Sequence, residues 1–133
     1  MKSKSLNFSS LRGANIDRIP LFKNANGERS HTEDDGSDWS NAQWVMALTG
    51  EVGELANVLK KIDRGDYTLE DVQQEVANEL ADIMTYLDIL AYRLNVDLGK
   101  ATMDKFNEVS ERVNADVKLY EDRWLTKGKV KIG

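Results

Sequence analysis

Two runs of apolar residues recur along this 133-residue chain at steps of three and four, the spacing of one face of an α-helix. The first run comprises Val45, Leu48, Val52, Leu55, Leu59 and Ile62, and the second comprises Val72, Val76, Leu80, Ile83, Leu87, Leu90 and Leu94. Only a short polar segment around Gly65 separates them. The pattern therefore predicts two long antiparallel helices that pack stripe to stripe across a tight turn.

Local signals mark the ends of both predicted helices. Ser40 with Gln43 three residues later resembles a capping box at the start of the first helix. Gly65 is placed to end that helix after Arg64, because glycine adopts the left-handed conformation that follows many helices. Thr68 is the predicted N-cap of the second helix, with Asp71 at its third position.

A third core helix is predicted to begin at Asp97 and to continue as far as Tyr120 or Trp124. Its inward residues are expected to be Met103, Phe106, Val109 and Val113. The body shows no alternation typical of a sheet and no long repeat. The predicted fold is an all-α helical bundle with two long antiparallel helices, this third helix and an N-terminal arm.

Charge divides the chain. Residues 1 to 32 hold six basic and two acidic side chains, whereas residues 33 to 133 hold twelve and 21, so the arm is basic and the body acidic. Within the arm, a short helix is predicted before Pro20, lined by Phe8, Leu11, Asn15 and Arg18. We expect an arm and polar loop at 1–38, one helical domain at 39–126 and a short basic tail at 127–133.

Composition excludes several functions. The chain has no cysteine and a single histidine, His31, which excludes disulfides, zinc-thiolate sites, a cysteine nucleophile and any site that needs two histidines. The net charge of −5 disfavours a nucleic-acid partner. No apolar stretch has the length of a membrane span, and the first ten residues lack the apolar run of a signal peptide. We therefore expect a cytoplasmic protein without a membrane partner.

Four acidic residues carry the functional hypothesis: Glu51 and Glu54 on the first long helix, and Glu79 and Asp82 on the second. In each pair the acids lie about 60° and 120° from the centre of the apolar stripe, in the same rotational sense. A turn near Gly65 also places the two pairs at one level. Carboxylates that converge in this way favour Mg²⁺, or Mn²⁺, because such ions take oxygen ligands. The alternative is an ordinary solvated acidic face.

The blocks ALTGEVGELANVLKK, ELADIMTYLDIL and VDLGKATMDKFNEVSERV resemble the MazG-like all-α nucleoside triphosphate pyrophosphohydrolases, whose signature is E-x-x-E followed by E-x-x-D. The resemblance implies a homodimer or homotetramer. It also implies Mg²⁺ held by Glu51, Glu54, Glu79 and Asp82, one glutamate that activates water, and cleavage between the α- and β-phosphates of a nucleoside triphosphate. The expected products are a monophosphate and pyrophosphate, and the expected role is nucleotide pool sanitation or turnover.

Further substrate contacts are weaker expectations. The candidates are Trp39, Lys60, Lys61, Arg64, Tyr86, Lys105 and Asn107. Trp39 is expected to stack on the base, the basic residues to meet phosphates, and Tyr86, Lys105 and Asn107 to match positions that touch substrate in the family. Each has an ordinary alternative, such as an interface position for Tyr86 or a helix-dipole partner for Arg64. Relatives specific for cytosine nucleotides carry tryptophan where this chain has Lys61, which disfavours that specificity.

Two other functions stay open on the sequence alone. A phosphoribosyl-ATP pyrophosphohydrolase would share the fold and the acidic cluster. A non-catalytic helical interaction module would use the same acids only to keep one face soluble, and its melting temperature would not respond to Mg²⁺.

Overall fold

The computed structural model describes residues 5–29 and 38–120, which form helices and no strand, so the all-α class is confirmed. The α-helices are α1 (Phe8–Arg18), α2 (Asn41–Asp63), α3 (Gln73–Arg93) and α4 (Leu98–Arg112), with short 3₁₀ turns at Ile19–Leu21 and Glu70–Val72. The chain forms two compact units, Met1–Leu94 and Asn95–Gly133. His31, Trp124 and the predicted tail at 127–133 lie outside the described residues. None of the described helices has the length and apolarity needed to cross a bilayer.

The ends of α2 follow the local signals. The Ser40 hydroxyl accepts a hydrogen bond from the Gln43 backbone N–H at 3.2 Å, and the Gln43 side chain accepts one from the Ser40 N–H at 2.8 Å. At the other end, Arg64 is the C-cap and Gly65 has a φ of 87°, which favours glycine. The capping box and the glycine stop are therefore confirmed.

The start of α3 differs from the prediction. Thr68 and Asp71 do exchange hydrogen bonds between side chain and backbone, at 2.9 and 3.3 Å. However, the element that follows Thr68 is the 3₁₀ turn Glu70–Val72, whose N-cap is Leu69, and α3 begins only at Gln73. Val72, with a φ of −121° and a ψ of 15°, leaves the helical conformation between the two.

The faces through which α2 and α3 pack against each other are rotated about the helix axes relative to the predicted apolar stripes. Trp44 and Val58 are the buried residues of α2, whereas Val45, Val52 and Leu59 from the predicted stripe are 41 to 46% exposed. At about 100° per residue, the packed face of α2 is rotated by about 50° from the centre of the predicted stripe, and that of α3 by about 40°. The large ring of Trp44 draws its own side of α2 into the core, which leaves the far edge of the apolar stripe exposed.

The third helix packed in the first unit is α1, from the arm, which contacts α3. Asn15 of α1 is buried against α3, and Ile19, in the turn after α1, joins a core with Trp44, Ile89 and Leu90. The predicted short helix before Pro20 is confirmed, since α1 ends at Arg18.

In the second unit, Asp97 caps α4 as predicted, because its side chain accepts a hydrogen bond from the Lys100 N–H at 3.0 Å. The predicted continuation of the helix to Tyr120 is wrong. The helix ends at Arg112, and Asn114 has a φ of 56°, which turns the chain. Met103 and Val109 are half-buried as expected, whereas the predicted inward residues Phe106 and Val113 are 41 and 61% exposed. The chain turns back after α4 and so leaves that edge of the helix uncovered.

Candidate metal centre

Three carboxylates from α2 and α3 converge in the first unit. One oxygen from each of Glu51, Glu79 and Asp82 lies within 4.8 Å of the others. Glu51 and Glu79 are half-buried, whereas Asp82 is exposed. All three potential metal ligands are carboxylate oxygens, the ligand type that Mg²⁺ and Ca²⁺ prefer.

The rotated packing explains why the acids meet. Glu51 and Glu79 lie about 20° from the centres of the packed faces of α2 and α3, which places both in the seam between the helices. The numbers of Glu51 and Glu79 sum to 130, and so do those of Trp44 and Tyr86, whose rings are also in contact. One hairpin register therefore aligns an acidic layer and an aromatic layer. Asp82 lies one turn beyond Glu79, at the solvent edge.

The fourth predicted ligand, Glu54, lies at the edge of the cluster. It is exposed and is not part of the group of three, although its negative charge helps to raise the pKa of Glu79. At about 80° from the centre of the packed face, Glu54 turns away from the seam that holds Glu51. The structure thus brings three of the four predicted acids together and leaves Glu54 beside them.

Glu79 has the most perturbed environment of the cluster. Its Oε2 atom is buried and has no hydrogen-bond partner among the described residues. Partial burial, a hydrogen bond with Glu51 and the negative charges of Glu54, Glu51 and Asp82 raise the pKa of Glu79 to about 7. Repulsion among the nearby negative charges therefore favours the binding of a proton or a cation by the cluster.

The group fits a divalent cation after a small adjustment. Oxygens bound to Mg²⁺ at about 2.1 Å in octahedral geometry lie roughly 3.0 Å apart when adjacent and 4.2 Å apart when opposite. The separations of up to 4.8 Å exceed the second value by about half an ångström, a distance that rotation of the carboxylate side chains covers. The buried Glu79 Oε2 supplies a ligand atom that no protein donor occupies.

An aromatic layer lies next to the acidic layer. Trp44 is 2% exposed, and its ring lies 5.3 Å from that of Trp39 and 6.0 Å from that of Tyr86. Arg93 lies over the Trp44 ring and donates a hydrogen bond to the Trp39 carbonyl at 2.8 Å. The half-buried Tyr86 has its pKa raised by burial and by the charges of Glu51, Asp82 and Glu54, so its hydroxyl lies in the field of the acids.

The predicted basic contacts of the first unit lie in the last turn of α2 and in the hairpin turn that follows it. Lys60 is exposed and Lys61 is half-buried near the end of α2. The Arg64 guanidinium forms an ion pair and hydrogen bonds with Asp66 in the hairpin turn. The pairing with Asp66 gives Arg64 a structural role in the hairpin turn.

In the second unit, Lys105 and Asn107 also have protein partners. Lys105 forms an ion pair with Glu108 at 2.9 Å. The Asn107 side chain exchanges hydrogen bonds with the backbone of Leu119, at 2.9 and 2.8 Å. This exchange holds the returning chain beside α4, which is a structural role.

Sequence analysis missed one buried polar cluster. Asp88 on α3 is 1% exposed, and it accepts hydrogen bonds from Arg12 and Asn15 of α1. A signal was present, because Asp88 is a lone acid in the run LDILA, and an acid in such a run must find a buried partner.

Comparisons with known proteins add little about activity. No protein-family profile matches the chain, and no solved structure matches it. A segment of 75 residues is 35% identical to the "Gene 37 protein" of Mycobacterium phage L5. The match covers 55% of this chain and 66% of the phage protein, just under two thirds of its length. The name of that relative states no activity.

Proposed function

We propose that this protein is a Mg²⁺-dependent nucleotide pyrophosphohydrolase that cleaves (deoxy)nucleoside triphosphates between the α- and β-phosphates, in pool sanitation or nucleotide turnover. The observation that carries the proposal is the convergence of Glu51, Glu79 and Asp82 in the helical seam. These acids belong to the sequence blocks that together carry the resemblance to the MazG-like enzymes.

The chemistry requires only the residue types present. Glu51, Glu79 and Asp82 would hold Mg²⁺, which when bound supplies charge neutralisation and Lewis-acid polarisation at the phosphates. Glu54 lies outside the group of three and is exposed, so it is the candidate to accept a proton from the attacking water. Phosphoryl transfer depends mainly on positioning and electrostatic stabilisation, so neither cysteine nor histidine is needed.

Substrate contacts follow from the aromatic layer. Tyr86, one turn beyond Asp82 on α3, and the half-buried Trp39 are proposed to contact the nucleoside, because both rings lie against Trp44 beside the acids. Lys60 and Lys61 are the two cations of α2, and they are proposed to contact phosphates. This arrangement gives an acidic protein a way to bind an anionic substrate through a bridging cation.

We also propose that the protein self-associates as a homodimer or homotetramer. Val45, Val52 and Leu59 recur every seven residues along the exposed edge of α2, and Leu80 and Met84 are exposed on the corresponding edge of α3. This edge lies on the opposite side of the seam from Glu54 and Asp82, and seven-residue spacing is typical of helix–helix interfaces. Light scattering should report a mass at least twice 15.0 kDa, and Val52→Glu should reduce it.

The decisive experiment measures pyrophosphate release from a panel of canonical and damaged nucleoside triphosphates with Mg²⁺. Glu51→Gln and Asp82→Asn should each lower turnover by at least about 100-fold, since even groups that only orient metal ligands are worth 10- to 100-fold. Glu75→Gln is the matched control, because Glu75 is an exposed acid of α3 outside the cluster. Far-UV circular dichroism should be the same for all variants.

The outcomes separate the alternatives. Turnover of phosphoribosyl-ATP in preference to every nucleoside triphosphate would identify the protein as a phosphoribosyl-ATP pyrophosphohydrolase. If no substrate is turned over and the melting temperature does not change on addition of Mg²⁺, the non-catalytic helical module is favoured. Full activity in the Glu51→Gln/Asp82→Asn double variant would refute the assignment of the site.

A further inference from the structure

The polar cluster between α1 and α3 is a closed hydrogen-bonded unit. Arg12 Nε donates to both carboxylate oxygens of Asp88, at 3.2 and 3.3 Å, and Asn15 Nδ2 donates to one of them at 2.9 Å. Asp88 and Asn15 are 1 and 3% exposed. The Arg12 guanidinium also lies 5.8 Å from the centre of the Tyr92 ring. These contacts fix α1 at one position along α3.

The position of α1 also determines the position of Ile19, which packs in the core cluster of the aromatic residue Trp44. Ile19 directly follows α1, is 6% exposed and belongs to the core cluster that contains Trp44. Trp44 in turn contacts Tyr86, which packs against the same cluster. The Asp88 network is therefore connected through the end of α1 to Ile19, and Ile19 shares a core cluster with Trp44, against which Tyr86 packs.

Tyr86 is the member of this group that faces the candidate metal centre. It lies seven residues beyond Glu79 on the same face of α3, and four residues beyond Asp82. Long side chains on a helix lean toward its N-terminus, so the Tyr86 ring leans back toward Asp82. The position of Trp44 behind the ring limits how far it can turn.

We infer that Asp88 is a positioning residue, which together with Arg12 and Asn15 sets the register of α1 and thereby places Tyr86 for substrate. The inference rests on the proposed function of the acidic site. A buried ion pair adds little to stability compared with apolar residues of similar volume, and its best-attested use is to specify one register. The network therefore selects where α1 docks, while Ile19 and the surrounding core supply the apolar contact.

The test separates positioning from simple stabilisation. The triple variant Arg12→Met/Asn15→Leu/Asp88→Leu replaces the network with apolar side chains. The variant Lys100→Met/Asp104→Leu removes an exposed ion pair of α4 and is the control. The measurements are melting temperature, KM and kcat for the best triphosphate, the Mg²⁺ concentration for half-maximal activity, and the NMR resonances of the Tyr86 ring.

We expect the triple variant to melt at or above the temperature of the wild type. We also expect its KM to rise about tenfold, since a misplacement of about 1 Å in a positioning group can cost up to about a hundredfold. The Mg²⁺ dependence should not change, because the acids are untouched, and the Tyr86 resonances should shift or broaden. The control should match the wild type in every measurement.

A triple variant with wild-type KM and wild-type Tyr86 resonances would overturn the inference and leave the network a structural contact. If the triple variant does not fold, Asp88→Asn preserves the shape of the side chain and should change KM and Tyr86 in the same direction. If the wild type hydrolyses no triphosphate, the proposed function fails, and the Tyr86 resonances alone decide whether the network positions that ring.

Discussion

Helix α3 carries two carboxyl groups in opposite situations. Glu79 faces α2, lies among other acids and has a buried oxygen without a hydrogen-bond partner among the described residues. Asp88, nine residues later and about 180° around the helix, faces α1 and is bound by Arg12 and Asn15. The comparison shows that the negative charge of Asp88 is balanced by a cation of the same chain. The charge of Glu79 is instead opposed by acidic neighbours, so a proton or an added cation stabilises it.

Removal of Asp88 should have the largest effect on stability. Asp88→Ala leaves the buried ends of Arg12 and Asn15 without their acceptor, and breaking a buried pair in this way costs about 3 to 5 kcal/mol. Urea denaturation without metal measures this change. Asp82→Ala is the matched control and should cost nothing, because it removes a repulsive charge at the solvent edge. Equal losses in the two variants would contradict the distinction.

Addition of Mg²⁺ should have the next largest effect, and only through Glu79 and its neighbours. A ligand present at 100 times its dissociation constant stabilises the folded state by about 2.7 kcal/mol. For a chain of this length that corresponds to a rise in melting temperature of about 5 to 15 °C. Glu79→Gln should abolish the rise, whereas Glu75→Gln should retain it. A rise that persists in Glu79→Gln would place the cation elsewhere.

The pH dependence of the metal-free protein should show a smaller effect, because water screens the partly exposed cluster. The folded state raises the pKa of Glu79 from 4.5 to about 7, so it keeps a proton that the unfolded chain has lost between these values. The free energy of unfolding in EDTA should therefore fall as pH rises from about 4.5 to about 7. Glu79→Gln should remove this fall. Parallel curves of unfolding free energy against pH for the wild type and the variant would show that neighbouring charges do not raise the pKa of Glu79.

Glu54 should matter least for cation binding. Glu54→Gln should change the Mg²⁺-induced stabilisation by less than about 1 kcal/mol, the range expected for an exposed charge. The measurement is the same thermal melt with Mg²⁺, read against Glu51→Gln on the same helix. A loss as large as that caused by Glu51→Gln would make Glu54 a full ligand and extend the group to four.

Features set by neighbouring residues could be predicted from the sequence. The Ser40 and Asp97 caps and the glycine stop at Gly65 depend on residues within one turn, and each was confirmed. The convergence of Glu51 with Glu79 also followed, because a short turn leaves a helical hairpin only one register.

Features set by distant packing could not be predicted. The apolar stripe of α2 is wider than the face that packs, and only contact with α3 decides which edge is buried. The Arg12–Asp88 pair joins residues 76 apart, and the periodicity of either helix alone contains no information about its partner.

The most direct test of the central claim is a titration with Mn²⁺, followed by electron paramagnetic resonance of the free ion, on the wild type and on Glu79→Gln at pH 8. We expect the wild type to bind Mn²⁺ in competition with Mg²⁺ and Glu79→Gln to lose that binding. Absence of binding by the wild type, or equal binding by both proteins, would contradict the assignment of Glu51, Glu79 and Asp82 as a metal centre.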